Sequence, residues 1–562
     1  MRWLEYAVFL ALVIALARPA GLYLARVFDG GATWLDPVMR PLEAGLHRLM
    51  GIDPRREMSA GSYILSFLLF GLAGAAGLFI LLMLQRLLPG GPADRFLTTP
   101  MTADLAADTA VSFATTTTWQ AYGGETTLRY LTQTAGLVSQ NFLAGASGLA
   151  VGIAFIRGVA RQETGTLGNF WVDLVRAILW VLLPIAIVGS LVLVWQGVPL
   201  DLSPYVAAHG LEGGVQTIPR GPVAALELIK NLGSNGGGFF NANGAHPFET
   251  PTPLANFIAL LAIAVLPASL TVTFGEITGS PRAGAVLLGV MVALFVAGLV
   301  ICDLSEAATP HALAGLGLSG GNLEGKETRF GVGDTVLTAI VTSNGATGST
   351  NAATDSFGAL GVAAPLINML LGEVVFGGLG SGLYGMVMAT LVAAFLGGLM
   401  IGRTPTYLGK RIGQGEMQLI IGYALLTPAV VLLLSSLALN TKPGLAGLTT
   451  NGGARGFTEA VFAYASCMAN NGQTLGGLNA DSLFYNLTTS VAMLAGRYGT
   501  AALALTLAGR FAAQRRVAVG PGTLPNHTPQ FGALILACVV LVGGLCYLPT
   551  LVLGPISEAL QR

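Results

Sequence analysis

Residues 225–240 read ALELIKNLGSNGGGFF. An apolar run too short to cross a membrane gives way to a polar stretch of small residues, Ser234-Asn235-Gly236-Gly237, and an apolar segment of spanning length follows. Ten to twelve helical residues, at about 1.5 Å each, reach roughly half-way through a bilayer. Such a run predicts a re-entrant segment that enters the membrane and turns back. Three further stretches share the layout: DTAVSFATTTTWQ (108–120), TVLTAIVTSNGATGST (335–350) and AVFAYASCMANNGQT (460–474). Two repeat the polar residue-Asn-Gly pattern, as Ser343-Asn344-Gly345 and Asn470-Asn471-Gly472, whereas the first has Thr117-Thr118-Trp119. Equating Thr118, Asn235, Asn344 and Asn471 gives intervals of 117, 109 and 127 residues. That near-regular spacing predicts four copies of one helix–re-entrant loop–helix unit.

The composition sets the medium. Of 562 residues, 53% are hydrophobic and only 10% charged, against about 25% charged in an average soluble domain. Mean hydropathy is +0.69. The chain is too apolar for a disordered protein, and four Cys are too sparse for a disulfide scaffold. Twenty-eight basic residues balance 28 acidic ones, so nothing points to nucleic acid. The prediction is an all-α polytopic membrane protein. Ten stretches have spanning length, roughly 3–25, 62–88, 130–157, 170–196, 252–275, 283–302, 379–402, 417–439, 482–508 and 531–555. The first lacks the basic leader and small-residue cleavage site of a signal peptide.

Loops after odd-numbered spans carry 14 of the 28 basic residues, and the longer even-numbered loops carry fewer. The odd loops therefore face the cytoplasm, and both termini lie outside. Asp36–Gly51, with an apolar stripe at Met39, Leu42, Leu46, Leu49 and Met50, reads as an amphipathic helix on the cytoplasmic face. The chain divides into a first span with this segment (1–61), pore repeats over 62–157, 170–302, 303–402 and 417–508, and a last span with an external C-terminus (531–562).

Non-helical backbone at membrane depth is tolerated where it lines a cavity. Four tips around one axis can turn backbone carbonyls inward, where they replace the water around a dehydrated cation. Each short helix also aims its partially negative end at that axis. The tips hold no Asp or Glu, which favours a monovalent ion held by carbonyls over a divalent one.

Several stretches carry a family resemblance: TTTTWQAYGGET (115–126), NLGSNGGGFFNANGAHPFETPTP (231–253), TSNGATGSTNAATDSF (342–357), GEVVFGGLGSGLYGM (372–386), GRTPTYLGKRI (402–412) and NNGQTLGGLNA (470–480). In them the chain resembles the KdpA family, the potassium-binding, channel-like subunits of bacterial Kdp potassium-transporting ATPases. The resemblance implies the potassium transporter superfamily fold, four pseudo-repeats around one pore, and K⁺ as the transported ion. It implies a P-type ATPase subunit, a single-span accessory subunit and a small peptide subunit as partners, in a bacterial inner membrane. It places the K⁺ filter at Thr116, Thr117, Thr118, Gln120, Ser234, Asn235, Gly236, Gly237, Ser343, Asn344, Gly345, Ala346, Asn470, Asn471 and Gly472. Gly378, Gly380 and Gly382, in a stretch that also matches the dinucleotide fingerprint G-x-G-x-x-G, have no preceding strand. They read as a Gly-rich break that gates the path below tip three, or as a close-packing patch.

Ionisable residues at membrane depth are functional candidates. Asp303 closes the sixth span, where it is a path residue or an interfacial one. Arg176 has Asp173 three residues before it and is expected to pair with it. Glu373 and Arg497 follow tips three and four, and either steer the ion below the filter or brace two helices as a buried pair. The sequence shows no GxxxxGK[ST], no Asp-Lys-Thr-Gly and no metal spacing among its Cys and His, so the chain is not expected to be an enzyme by itself. Two functions remain open: a K⁺-conducting subunit serving an ATP-driven partner, and a stand-alone secondary K⁺ or Na⁺ channel-transporter.

Overall fold

The computed structural model describes residues 2–88, 94–310, 314–400, 402, 404–517 and 525–561; position 403 of the GRTPTYLGKRI stretch lies outside them. Among the described residues, ten helices are long and apolar enough to cross a membrane: Arg2–Phe28, Ala60–Leu87, Thr132–Ala160, Phe170–Trp195, Pro253–Thr278, Pro281–Ala307, Ser381–Met400, Gln414–Asn440, Leu483–Ala513 and Pro529–Gln561. Their starts follow local chemistry. Thr252 and Thr528 accept a hydrogen bond from the backbone three residues on, with Pro at the first helical position, where its missing N–H costs nothing.

Four shorter helices precede the third, fifth, seventh and ninth spans: Ala103–Ala114, Val223–Leu232, Gly331–Asn344 and Gly453–Ala469. Burial separates the spans into two rings. The four that follow the short helices have 89%, 67%, 67% and 50% of their apolar windows buried, against 22–39% for the other six. The inner ring thus comes from the spans that complete each helix–loop–helix unit, and the outer ring faces lipid. Small residues allow the close approaches within it: a Cβ on Gly158 of the third span would meet Ala508 of the ninth.

Four spans contain a π-helical turn, at Thr132–Val138, Ala177–Leu182, Ala495–Gly499 and Val552–Ile556. The seventh is interrupted. A helix over Ala359–Leu370 stops, residues 371–380 are non-helical, and Ser381–Met400 resumes.

At the end remote from the short helices' tips, a hairpin pairs Thr406–Tyr407 with Lys410–Arg411. The buried Lys410 ammonium donates to the carbonyls of Arg161 (2.5 Å), Phe511 (2.8 Å) and Gln514 (3.0 Å), tying together the ends of the third and ninth spans. The helix Asp36–Met50 lies at the same end, with Met39 and Leu46 packed on the core and Leu42, Leu49 and Met50 exposed. Here the expected Arg176–Asp173 pair is replaced. Asp173 is buried and takes the buried guanidinium of Arg157 at 2.7 Å. Arg176 reaches outward to Glu43 of the amphipathic helix at 2.8 Å.

Candidate functional site

Each short helix ends on the same hydrogen bond. The N–H groups of Thr117, Asn235, Thr347 and Asn471 donate to the carbonyls of Ser112, Lys230, Thr342 and Ser466, each five residues back, at 3.0, 2.8, 3.2 and 2.9 Å. The backbone then alternates. Thr116, Ser234, Ala346 and Asn470 have φ of 64°, 51°, 51° and 57°. Two residues further on, Thr118, Gly236, Gly348 and Gly472 have 46°, 79°, 74° and 89°. Left-handed backbone is costly for residues other than Gly, and five of these eight are not Gly. Alternating it with ordinary backbone turns successive carbonyls toward one side, the geometry a carbonyl-lined cation site needs.

The tips close into a ring. The Thr118 hydroxyl of tip one donates to the Asn235 carbonyl of tip two. At the equivalent place in tip two, a Cβ on Gly236 would land on the Thr347 carbonyl oxygen of tip three. A Cβ on Gly348 would land on the Asn471 carbonyl of tip four, and one on Gly472 on the Thr117 carbonyl of tip one. The third residue of every tip therefore abuts the second carbonyl of the next, four times round.

This register corrects the expected third tip. Ser343 and Asn344 lie in the last turn of their helix, where the Asn344 amide donates to Ile340 O at 2.9 Å, and Gly345 caps it. The ring positions are Ala346, Thr347 and Gly348. The first tip shifts by one as well: Thr117, not Thr118, matches Asn235 and Asn471. Thr116, Thr117, Thr118, Ser234, Asn235, Gly236, Ala346, Asn470, Asn471 and Gly472 are brought together. Gln120 and Gly237 stand just behind them, the Gln120 side-chain carbonyl accepting from Gly238 N at 2.8 Å.

Buried polar groups hold the ring from outside, and here the sequence reading missed a cluster. The Lys230 ammonium, wholly buried, contacts Glu227 (2.6 Å), Glu249 and Asn243 (3.0 Å), while its carbonyl takes the N–H groups of Asn235 and Gly236. Glu227 and Lys230, three apart on a short helix, were the available signal. Ser349 donates to Asn231 at 2.7 Å, and Asn470 to the Thr117 hydroxyl at 3.0 Å.

The ring separates two spaces. On one side opens a mouth of about 880 Å³, lined by Gln120, Asn241, Thr350, Asp355, Glu459 and Asp481 among others, with a smaller recess reaching Thr118, Gly237, Gly348 and Gly472. On the other is an inner cavity of about 130 Å³ touched by Thr116, Ala346 and Asn470. Three of the four third residues thus face the recess on the mouth side, and three of the four first residues face the cavity.

Glu373 and Arg497 both line the inner cavity. They form no ion pair among the described residues. Asn471 donates to Glu373 Oε1 at 2.9 Å. Arg497 sits on a π turn of the ninth span and donates to Ala144 O at 2.9 Å and Ser147 Oγ at 3.4 Å. Glu373 belongs to the interruption of the seventh span and has φ 53°. Gly378 of that interruption faces Ala346, a Cβ on Gly380 would meet Gly148 and Gly152 of the third span, and Gly382 lies against Gly377. The interruption is thus wedged beneath the ring. Asp303 is elsewhere, fully buried, accepting from Tyr6 (2.9 Å) and paired with Arg2 (2.9 Å). No group of three His, Cys, Asp or Glu able to hold a metal occurs among the described residues; the oxygens that meet from tip to tip are backbone carbonyls and the Thr118 hydroxyl.

Comparisons with known proteins bear on this site. The family described as "KdpA: Potassium-transporting ATPase A subunit" matches residues 7–560. A potassium-transporting ATPase potassium-binding subunit of Methylorubrum extorquens is 49% identical over 556 residues, 99% of this chain and 97% of the relative. One from Mesorhizobium japonicum is 47% identical over 558 residues, covering 99% and 98%. Among solved structures, the potassium transporter TrkH from Vibrio parahaemolyticus superposes with a TM-score of 0.52 at 15% identity, over 86% of this chain and 96% of that one; this is a likeness of fold.

Proposed function

Since the chain belongs to the family of potassium-transporting ATPase A subunits, we propose that its four-tip ring takes K⁺ from the mouth and passes it, through the inner cavity, to an ATP-driven partner. The closed ring of left-handed turns and next-tip carbonyls carries the reading, because it presents oxygens without carboxylates at the neck between two cavities. The relatives' printed name, the potassium-binding subunit of an ATPase, favours this over a stand-alone secondary transporter. The chain is a subunit of the transporting complex and not its ATP-hydrolysing part.

The finer assignments belong to the same proposal. The ring is the K⁺ filter, the interruption over 371–380 is the gate beneath it, and the division into four pore repeats follows the four tips. The partners are a P-type ATPase subunit, a single-span accessory subunit and a small peptide subunit, in a bacterial inner membrane with both termini outside. Below the ring, Glu373 attracts an ion that has cleared it. Arg497, which cannot shed its proton, keeps the ion from leaving straight down and turns it sideways to the partner. An apolar recess of about 290 Å³ adjoins the cavity through Leu370, Leu371, Val374, Gly543 and Tyr547, a space such a route could use.

Gly236→Asp tests the filter. Its side chain must displace the Thr347 carbonyl, and its charge would hold cations without regard to size. K⁺ uptake at low K⁺ is expected to weaken, with poorer discrimination against Na⁺ and Rb⁺. Unaltered uptake and selectivity would mean that the ring is not the K⁺ site.

A further inference from the structure

We propose that Glu373 is a positioning residue for the ion ring, acting through the side chain of Asn471. The inference rests on the reading of the ring as the K⁺ site and adds a mechanical link between that ring and the interruption below it.

Asn471 is wholly buried, and every hydrogen-bonding atom of its side chain is engaged. Its amide donates to Glu373 Oε1 and to Thr342 O, both at 2.9 Å, and its Oδ1 accepts from Gln473 N at 3.0 Å. Its backbone carbonyl is the ring oxygen beside Gly348. Thr342 O is also the acceptor that ends the third short helix, taking Thr347 N. One side chain therefore fastens tip four to the root of tip three and to the seventh-span interruption.

Two of the other corners, Thr347 and Thr117, are held differently. The Thr347 hydroxyl donates to Gly345 O inside its own tip at 2.9 Å, and the Thr117 hydroxyl accepts from the Asn470 amide of the neighbouring tip at 3.0 Å. Asn471 instead reaches out of the ring to a carboxylate. That carboxylate is 2% exposed and sits on left-handed backbone, a conformation that persists only where its surroundings hold it. Glu373 also forms part of the inner cavity wall, so a shift of 371–380 that opens the cavity also pulls on Asn471. The ring then loosens from below as the way inward opens.

The test is K⁺ binding to the purified full-length chain by titration calorimetry, with Rb⁺ and Na⁺ alongside and K⁺-free thermal melts to confirm folding. Glu373→Ala is expected to weaken K⁺ binding about tenfold and narrow the K⁺ preference over Na⁺, the scale of one lost buried hydrogen bond. Glu373→Gln, whose amide oxygen still accepts from Asn471, is expected to restore most of that loss. Asn471→Ala should weaken K⁺ binding at least as much as Glu373→Ala, and the double variant should be no weaker than Asn471→Ala alone, because Glu373 acts only through Asn471. Wild-type affinity in Glu373→Ala, equal losses in the Gln and Ala variants, or additive losses in the double would each overturn the proposal. Equal losses would mean that the charge draws the ion and the hydrogen bond does not place the ring. Should Glu373→Ala not fold, Glu373→Asp, one methylene short of Asn471, replaces it with the same expected and overturning outcomes. Gly236→Asp separates the two levels. If it abolishes binding while Glu373→Ala does not alter it, the link alone fails; if it too binds K⁺ normally, the ring is not the K⁺ site and both fail.

Discussion

Thr118 holds, in tip one, the place that glycine holds in the other three. Its Cβ is tolerated because its own carbon and hydroxyl are built against the Asn235 carbonyl, to which the hydroxyl donates; Gly236, Gly348 and Gly472 pack bare Cα atoms there. Thr118→Val keeps the shape and removes the donor. A buried carbonyl then loses its partner at a cost of about 1–2 kcal/mol, and K⁺ affinity measured by titration should fall about tenfold, while Thr118→Ser stays near wild type. Equal affinities in the two variants would show the hydroxyl to be incidental. At this scale the sequence was readable where Asn-Gly marks the turn, as at Asn235-Gly236 and Asn471-Gly472. It misled at tip three, because TSNGATGS offers two glycines three apart. The Ser-Asn-Gly copy of tip two is the wrong one. Only the bond from Thr347 N to Thr342 O places the turn three residues later, and no local preference reveals it.

Elements were legible in proportion to their apolar length. All ten spans and the four short helices follow from run length and bilayer thickness, and the helix at Asp36–Met50 from its stripe. The Gly-rich break at Gly378, Gly380 and Gly382 was read, but the π turns were not. The π turn that carries Arg497, AGRYG, lies within a run read as one continuous span, and π turns have no composition of their own although they gather at functional sites. Lys410 was equally silent, since it read only as one more basic loop residue. Its ammonium meets three carbonyls at the ends of two spans. Lys410→Met, which keeps the stem and removes the donors, should destabilise the chain by about 3 kcal/mol, since bonds from a charged donor contribute about 1.5–3 kcal/mol each and part of the loss is recovered by water. A lower thermal midpoint with K⁺ affinity preserved is the expected result. An unaltered midpoint would show that the two spans are held elsewhere.

For the molecule as a whole, the excess of Arg and Lys in the odd loops sets the expected orientation. Reporter fusions after Arg56 and Arg411 should read cytoplasmic and one after Lys326 external; a cytoplasmic signal at Lys326 would invert the scheme and put the mouth on the wrong side. Coupling to a partner is also a property at this scale. Arg497 has its own acceptors, Ala144 O and Ser147 Oγ, and is not braced by Glu373. Arg497→Gln should therefore leave assembly of the complex near normal, while K⁺ flux leaks or separates from ATP hydrolysis. ATPase activity, flux and complex yield measured on one preparation decide this, and a proportional fall of all three would return Arg497 to a structural role. That the chain serves an ATPase was legible only through family resemblance, since no residue pattern in the sequence points to one.

The ring described at the four tips is built from one polypeptide. In a filter assembled from four identical chains, any substitution is present at every corner at once, and its effect is the fourth power of an unknown. Here Thr117, Asn235, Thr347 and Asn471 can be altered singly, in neighbouring pairs or in opposite pairs. The molecule therefore allows a dose series, in which ion preference is followed as one, two, three and then four corners are changed. Such a series would separate a ring whose corners contribute independently from one that fails as soon as its first corner goes.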